Sequence, residues 1–368
     1  MQLRMEIRTA QHELAARRFN TRLRQANAEV DFFLPEKITV DDGANFSLVT
    51  KRYYLVLEGE EVRASAYLQG QPVWVGGTVQ PVWNVQSFLS EGIVNPSYAP
   101  VAVFMIKELL KRNCLIYAVG MGSESRPFPR LLKALRWDIS AVPFFFRVRR
   151  ASRFLHNLQF LRGHFLSSVL ADLLAYTGIG PLLIHASQAI KRKRLRPGAS
   201  YDQVARFDRG VDGVWEKAKS GLSFSIENTS ETLNALLPST VERMFRIRVA
   251  SEGLVIGWGI LMISNYRLHH HFGDMRVGTI VSALSCPGKE ASVVASALAV
   301  LAEHGVDLTI TNEMQETWQK AFESCGFFRG PSNYLLGLSP ALAAAIPIQR
   351  DRGRVHVNRA DGDGICNL

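Results

Sequence analysis

Three carboxylates stand where the sequence pattern passes from strand to turn. Glu91 ends an extended stretch, Glu124 follows the glycine-rich turn Gly120-Met121-Gly122-Ser123, and Glu313 follows the alternating run Val306, Leu308, Ile310 beside Asn312. A carboxylate at such a rim can take or give a proton when its surroundings shift its pKa. A glutamate before a helix is also favoured there by the helix dipole, with no chemistry implied. Other combinations lead less far. The run His269-His270-His271 cannot aim three side chains at one ion in a strand, where side chains alternate, so it reads as a polar loop and no metal is expected. Asp361-Gly362-Asp363-Gly364 lacks the remaining ligands of a calcium loop. The cysteines Cys114, Cys286, Cys325 and Cys366 form no CxxC pair and read as free thiols of a reducing compartment. Serine-nucleophile elbows, P-loops and dinucleotide fingerprints are missing from the sequence.

The elements that must position the carboxylates follow from hydrophobic spacing. Val294, Ala297, Leu298 and Leu301 form one apolar helical face, which Gly305 can stop. Val306 to Ile310 alternates as a strand. Trp318, Ala321, Phe322 and Cys325 repeat the helical spacing, with Trp318 on the packing face and Gly326 placed as a left-handed C-cap. Tyr334 to Leu338 then returns as a strand. The same order occurs about 190 residues earlier: Ala102, Met105, Ile106 and Leu109, then Leu115 to Val119, then Phe128, Leu131, Leu132 and Leu135. Two units in one register point to an internal duplication.

At 368 residues, with 47% hydrophobic and 21% charged side chains, the chain has the composition of a folded protein with about two cores. The expected organisation is a first domain over 1–150, a helical connector with a basic linker over 151–200, a second domain over 201–340 and a loosely ordered tail over 341–368. The N-terminal stretch lacks the pattern of a secretory signal, so a cytoplasmic protein is expected. Residues 154–196 read in two ways. Their amphipathic pattern and the flanking Arg149, Arg150, Arg153 and Lys191-Arg192-Lys193-Arg194 suit an interdomain helix pair, or peripheral contact with an anionic membrane. A formal charge of +10 favours anionic partners. Nucleic acid is not the expected one, since no helix-turn-helix, zinc-finger or RNA-recognition signature is present.

The repeated unit resembles the GNAT acyltransferase fold. The segment from Asn312-Glu313 to Gly326-Phe327 carries the resemblance best, and Arg136-Trp137 stands in the first copy where Gly326-Phe327 stands in the second. A tandem pair is similar to Fem-type aminoacyl transferases and to GNAT-like proteins of polysaccharide loci. The resemblance implies an α/β (α+β) fold of two mixed, twisted sheets flanked by helices. It also implies transfer of an acyl or aminoacyl group from acyl-CoA, or a related carrier, to an amine on a small molecule, sugar or cell-envelope precursor. Its thioester would lie between the parting fourth and fifth strands, with the pyrophosphate at the next helix start. Both loops depart from the family's Gln/Arg-x-x-Gly-x-Gly/Ala. The first keeps Tyr98 and Ala102 but has Pro100, which offers no N–H. The second, Ser285 to Ala291, keeps Gly288 and Lys289 but has Glu290. The second copy is the expected acyl-CoA site, with Ser285, Gly288, Lys289 and Asn312 as contacts and Glu313, Glu124 and Glu91 as candidate acid–base groups. The alternative reading is a GNAT-fold binding protein that no longer catalyses.

Overall fold

The computed structural model describes residues 2–26, 30, 32–37, 48–112, 115–157, 199–237, 243–269 and 272–362. Most of the connector expected over 151–200 lies outside these residues. So do Cys114, Cys366, His270, His271, Asp363, Gly364 and the Lys191–Arg194 run.

In chain order the first strands are β1 (Leu3–Ile7), β2 (Thr50–Glu58), β3 (Glu61–Val75), β4 (Thr78–Ser90), β5 (Ile116–Val119) and β6 (Asp138–Ala141). They are followed by β7 (Phe144–Val148), β8 (Ala199–Val204), β9 (Phe224–Ile226), β10 (Met244–Ser251), β11 (Leu254–Asn265), β12 (Arg276–Ser285), β13 (Leu308–Asn312), β14 (Phe328–Gly330) and β15 (Leu335–Leu338). The helices that bear on the site are α1 (Glu13–Gln25), α2 (Ala99–Arg112), α3 (Pro127–Ala134), α4 (Glu290–Glu303) and α5 (Glu316–Ser324). The chain forms two compact units. One holds residues 1–73, 79–140 and 335–348; the other holds 74–78, 141–334 and 349–368.

The main path of the first sheet runs β1-β2-β3-β4-β5-β15-β6, and the second sheet runs β8-β10-β11-β12-β13-β7-β14. Position for position the orders match, which is the duplication expressed as topology. Each sheet has a parallel pair at the same place, β4 beside β5 and β12 beside β13. The strand filling the sixth place comes from the far half of the chain. Leu336 to Leu338 pair with Val119 to Tyr117, while Phe144 to Val148 pair with Asn312 to Leu308. Sequence order assigns Phe144–Val148 to the first unit and Leu335–Leu338 to the second; hydrogen bonding assigns them the other way.

Both faces of each sheet are covered, so successive strand residues are buried. Tyr54 and Val56 pack with Met105, Ile106 and Leu132 of α2 and α3, while Leu55 and Leu57 pack with Phe19 and Leu23 of α1. In the second unit Val293, Val294, Ala297 and Leu301 of α4 join Trp318 and Phe322 of α5 over Ile247, Leu261 and Ile280. Trp215, Trp258 and Val281 fill the opposite face. On α2 the core-facing residue at the first turn is Val101, with Ala102 only half-buried, one position from the expected stripe. Gly257 has no side chain because α4 lies too close: a Cβ there would sit 2.3 Å from Val293 Cγ2 and 2.8 Å from the Leu284 carbonyl.

The ends of α3 and α5 are built alike. Phe327 N–H donates to Phe322 O at 3.0 Å and Trp137 N–H to Leu132 O at 3.1 Å, the six-to-one bond of a Schellman cap. Gly326 and Arg136 occupy the left-handed position at φ 85° and 63°. The tail also differs from expectation. Val355, His356, Val357 and Asn358 are 0–4% exposed, and Asp361 is 5% exposed.

Candidate functional site

The parallel pair in each sheet is short. β4 and β5 pair only at Trp83–Ile116 and Asn84–Tyr117, although β4 continues to Ser90. β12 and β13 pair only at Val277–Leu308, Gly278–Thr309 and Thr279–Ile310, although β12 continues to Ser285. Beyond these pairs no further ladder joins the two strands among the described residues. Thr311 marks the fork in the second unit, where its Oγ1 donates to Ile280 O at 2.9 Å in place of a ladder bond.

In the second unit the chain's own tail occupies the fork. Met314 N–H donates to Val357 O at 3.1 Å, and Glu313 and Asn358 form an antiparallel bridge. Asn358 Nδ2 reaches across to Ser282 Oγ of β12 at 3.1 Å. On the approach, Val355 bridges Phe224 of β9, and His356 N–H donates to Phe224 O at 2.8 Å. Asn312, 2% exposed, donates from Nδ2 to the Val142 and Pro143 carbonyls at 3.3 and 3.4 Å and accepts from Arg359 Nη1 at 3.0 Å.

Glu313 lies in this packing at 3% exposure. Its Oε1 accepts from Gln315 N–H at 2.8 Å and stands 3.3 Å from His356 Nδ1, an ion-pair separation longer than a well-aligned hydrogen bond. Asp361 Oδ2 accepts from Asn358 N–H at 2.6 Å. Burial pushes the Asp361 carboxyl up to about 7, against the Asn358 N–H and the His356 charge, with Glu313 adding to the rise. For His356 burial is the largest influence and opposes the charge. The Glu313 charge and contact, Asp361 and the Ala283 backbone together outweigh it and raise the pKa above the ordinary imidazole value. The sequence marks Asp361 only within an incomplete calcium loop and His356 not at all, because the tail's pairing partners lie far away along the chain.

At the head of α4, Gly288 adopts φ 79°, and its N–H is taken by the Glu290 carboxylate at 3.1 Å. Lys289 N–H donates to Cys286 O at 3.0 Å, and Ser285 is 3% exposed with its Oγ on Cys286 O. The Lys289 side chain is exposed.

The first unit is arranged differently. Among the described residues no strand or bridge pairs with the parted edges of β4 and β5. Glu91, at the end of β4, is held between two guanidinium groups, Arg22 Nε at 3.0 Å and Arg63 Nη1 at 3.0 Å. The Arg63 guanidinium lies 4.3 Å from the ring centre of Tyr98, just before α2. Pro100 sits at the second position of α2, where a missing N–H removes only a donor with no partner inside the helix. Glu124 is exposed after β5 and stands 3.7 Å from Lys133 Nζ. Glu91 and Glu124 belong to the first unit and Glu313 to the second. His269 stacks on Phe272 at 5.3 Å, and no three His, Cys, Asp or Glu converge on a metal position among the described residues. Among these residues no helix is long and apolar enough to cross a membrane.

No protein-family model matches the chain, and no curated protein matches it. Solved structures do. A conserved protein of Enterococcus faecalis V583, described as a probable N-acyltransferase, superposes with a TM-score of 0.52 at 12% identity over 92% of this chain and 72% of its own. N-myristoyltransferase of Saccharomyces cerevisiae gives 0.49 at 12% identity over 92% and 79%. A tandem GNAT protein of the clavulanic acid pathway gives 0.46 at 11% identity over 92% and 99%. The chain shares with the first of these its fold, two mixed sheets flanked by helices, as expected of tandem GNAT-like domains.

Proposed function

We propose that this chain is an N-acyltransferase that moves an acyl group from acyl-CoA to an amine. The observation that carries the reading is the parallel strand pair that parts after two or three residue pairs in each sheet, with a helix as the next long element after its first strand. Parted strands offer unpaired backbone edges to an extended pantetheine arm, and a helix start favours a pyrophosphate. The basic surface suits an anionic cosubstrate. The resemblance to a probable N-acyltransferase in fold agrees with this reading.

When bound, acyl-CoA supplies an activated carbonyl. The acceptor nitrogen forms the new C–N bond as the C–S bond breaks, and the ammonium proton must leave. Glu124, exposed at the rim after β5, is the candidate base. Glu313 is less suited, since its carboxylate is buried against His356 and the Gln315 N–H. The acceptor class is an amine-bearing small molecule, with a sugar or cell-envelope precursor amine the first to assay.

Thiol release from a panel of acyl-CoAs, with and without amine acceptors, tests the reading. Acceptor-dependent release is expected, and Glu124→Gln should lower kcat about 100-fold without changing the melting temperature. Absence of binding heat and of release with every acyl-CoA would exclude acyl-CoA chemistry. A second reading, a binding protein that no longer catalyses, is favoured by the Glu290 carboxylate on Gly288 N–H. Acyl-CoA binding without turnover of any acceptor would support it.

A further inference from the structure

We infer, resting on the acyl-CoA reading above, that each chain takes one thioester, in the first unit, because residues 355–361 seal the cleft of the second. The tail occupies the place between parted strands that an extended pantetheine arm would need. It uses the same groups: Met314 N–H on the β13 side binds Val357 O, and Ser282 Oγ on the β12 side receives Asn358 Nδ2. Val355 and Val357 are both 0% exposed, so expelling the segment would return two apolar side chains to water. It would also separate Glu313 from His356 at a site where neither is more than 3% exposed.

Charge at the head of α4 points the same way. In the second unit α4 opens on Glu290, whose carboxylate already occupies the Gly288 donor and would repel a pyrophosphate. In the first, the carboxylate at the end of β4, Glu91, is paired with Arg22 and Arg63, which also pair with Glu61 and Glu58. The first cleft has no such internal occupant among the described residues. This reverses the preference drawn from the loop sequences, where Pro100 counted against the first copy.

Two measurements on the full-length chain test this. In titration calorimetry with acetyl-CoA and a longer acyl-CoA, one site per chain is expected. Ser97→Glu, on the exposed turn before α2, should weaken binding about tenfold through like charge. Ser292→Glu, in the first turn of α4, should leave affinity within about twofold. Two sites per chain, or a single site lost in Ser292→Glu and kept in Ser97→Glu, would overturn the inference. In hydrogen exchange without any acyl-CoA, the amides of His356 and Asn358 should be protected as β12 is. Exchange at the rate of an open tail would overturn the sealed cleft even if acyl-CoA binds. Protected tail amides with no acyl-CoA binding would instead defeat the acyl-CoA reading and leave the sealed cleft standing.

Discussion

Glu91 shows how a carboxylate of catalytic type can be committed to structure. Its side chain is 7% exposed and engages both Arg22 and Arg63. Removing Glu91 leaves Arg22 with Glu61 and Arg63 with Glu58, so Glu91→Gln should cost about 1–2 kcal/mol, measured by urea unfolding. The buried tail makes a second prediction, in pH. Asp361 and His356 both have raised folded values. A raised carboxyl stabilises fully below its unfolded value and loses that contribution as pH climbs to about 7. A raised imidazole loses its contribution on passing its own folded value, above 6.5. Both act in one direction, so the urea midpoint should fall as pH rises from about 4 through about 7, and Asp361→Asn should flatten much of that slope. Sequence made Glu91, Glu124 and Glu313 visible as strand-end carboxylates. It could not show their partners, because Arg22 reaches Glu91 across 69 positions and His356 reaches Glu313 from the tail.

At the scale of elements, the repeated helix ends allow an internal control. Arg136 and Gly326 occupy the same left-handed cap, but only glycine takes that conformation without a Cβ penalty. Arg136→Gly should therefore stabilise the chain by about 0.5–1 kcal/mol, the relieved strain less the added freedom of the unfolded chain, read as a rise in melting temperature. Helices and strands were legible because 3.6-residue and two-residue spacings report burial directly. The apolar stripes of α4 and α5 and the C-cap at Gly326 lie where those spacings put them. Strand pairing was not legible. Phe144–Val148 and Leu335–Leu338 are short apolar runs, and such runs fit the interior of either sheet equally well. The tail escaped for a related reason, since Val355 to Asn358 is too short to show a period.

At the scale of the whole molecule, the exchanged strands decide what can fold alone. A fragment ending at residue 150 lacks β15, so β5 and β6 have no strand between them. A fragment beginning at residue 199 lacks β7, which separates β13 from β14. Neither should give a cooperative unfolding transition by circular dichroism, whereas both produced together should recover one. The same exchange sets a clock on biosynthesis. Ile116 N–H donates to Ser339 Oγ across 223 positions of sequence. At ~5–20 residues per second, the ribosome delivers Ser339 roughly 10–45 s after Ile116. Throughout that interval β5 presents an uncovered apolar edge, a template for pairing with any neighbouring nascent chain. Yield in the cell should then depend on how long β5 is kept apart from other chains during translation, more than on the stability of the finished sheet.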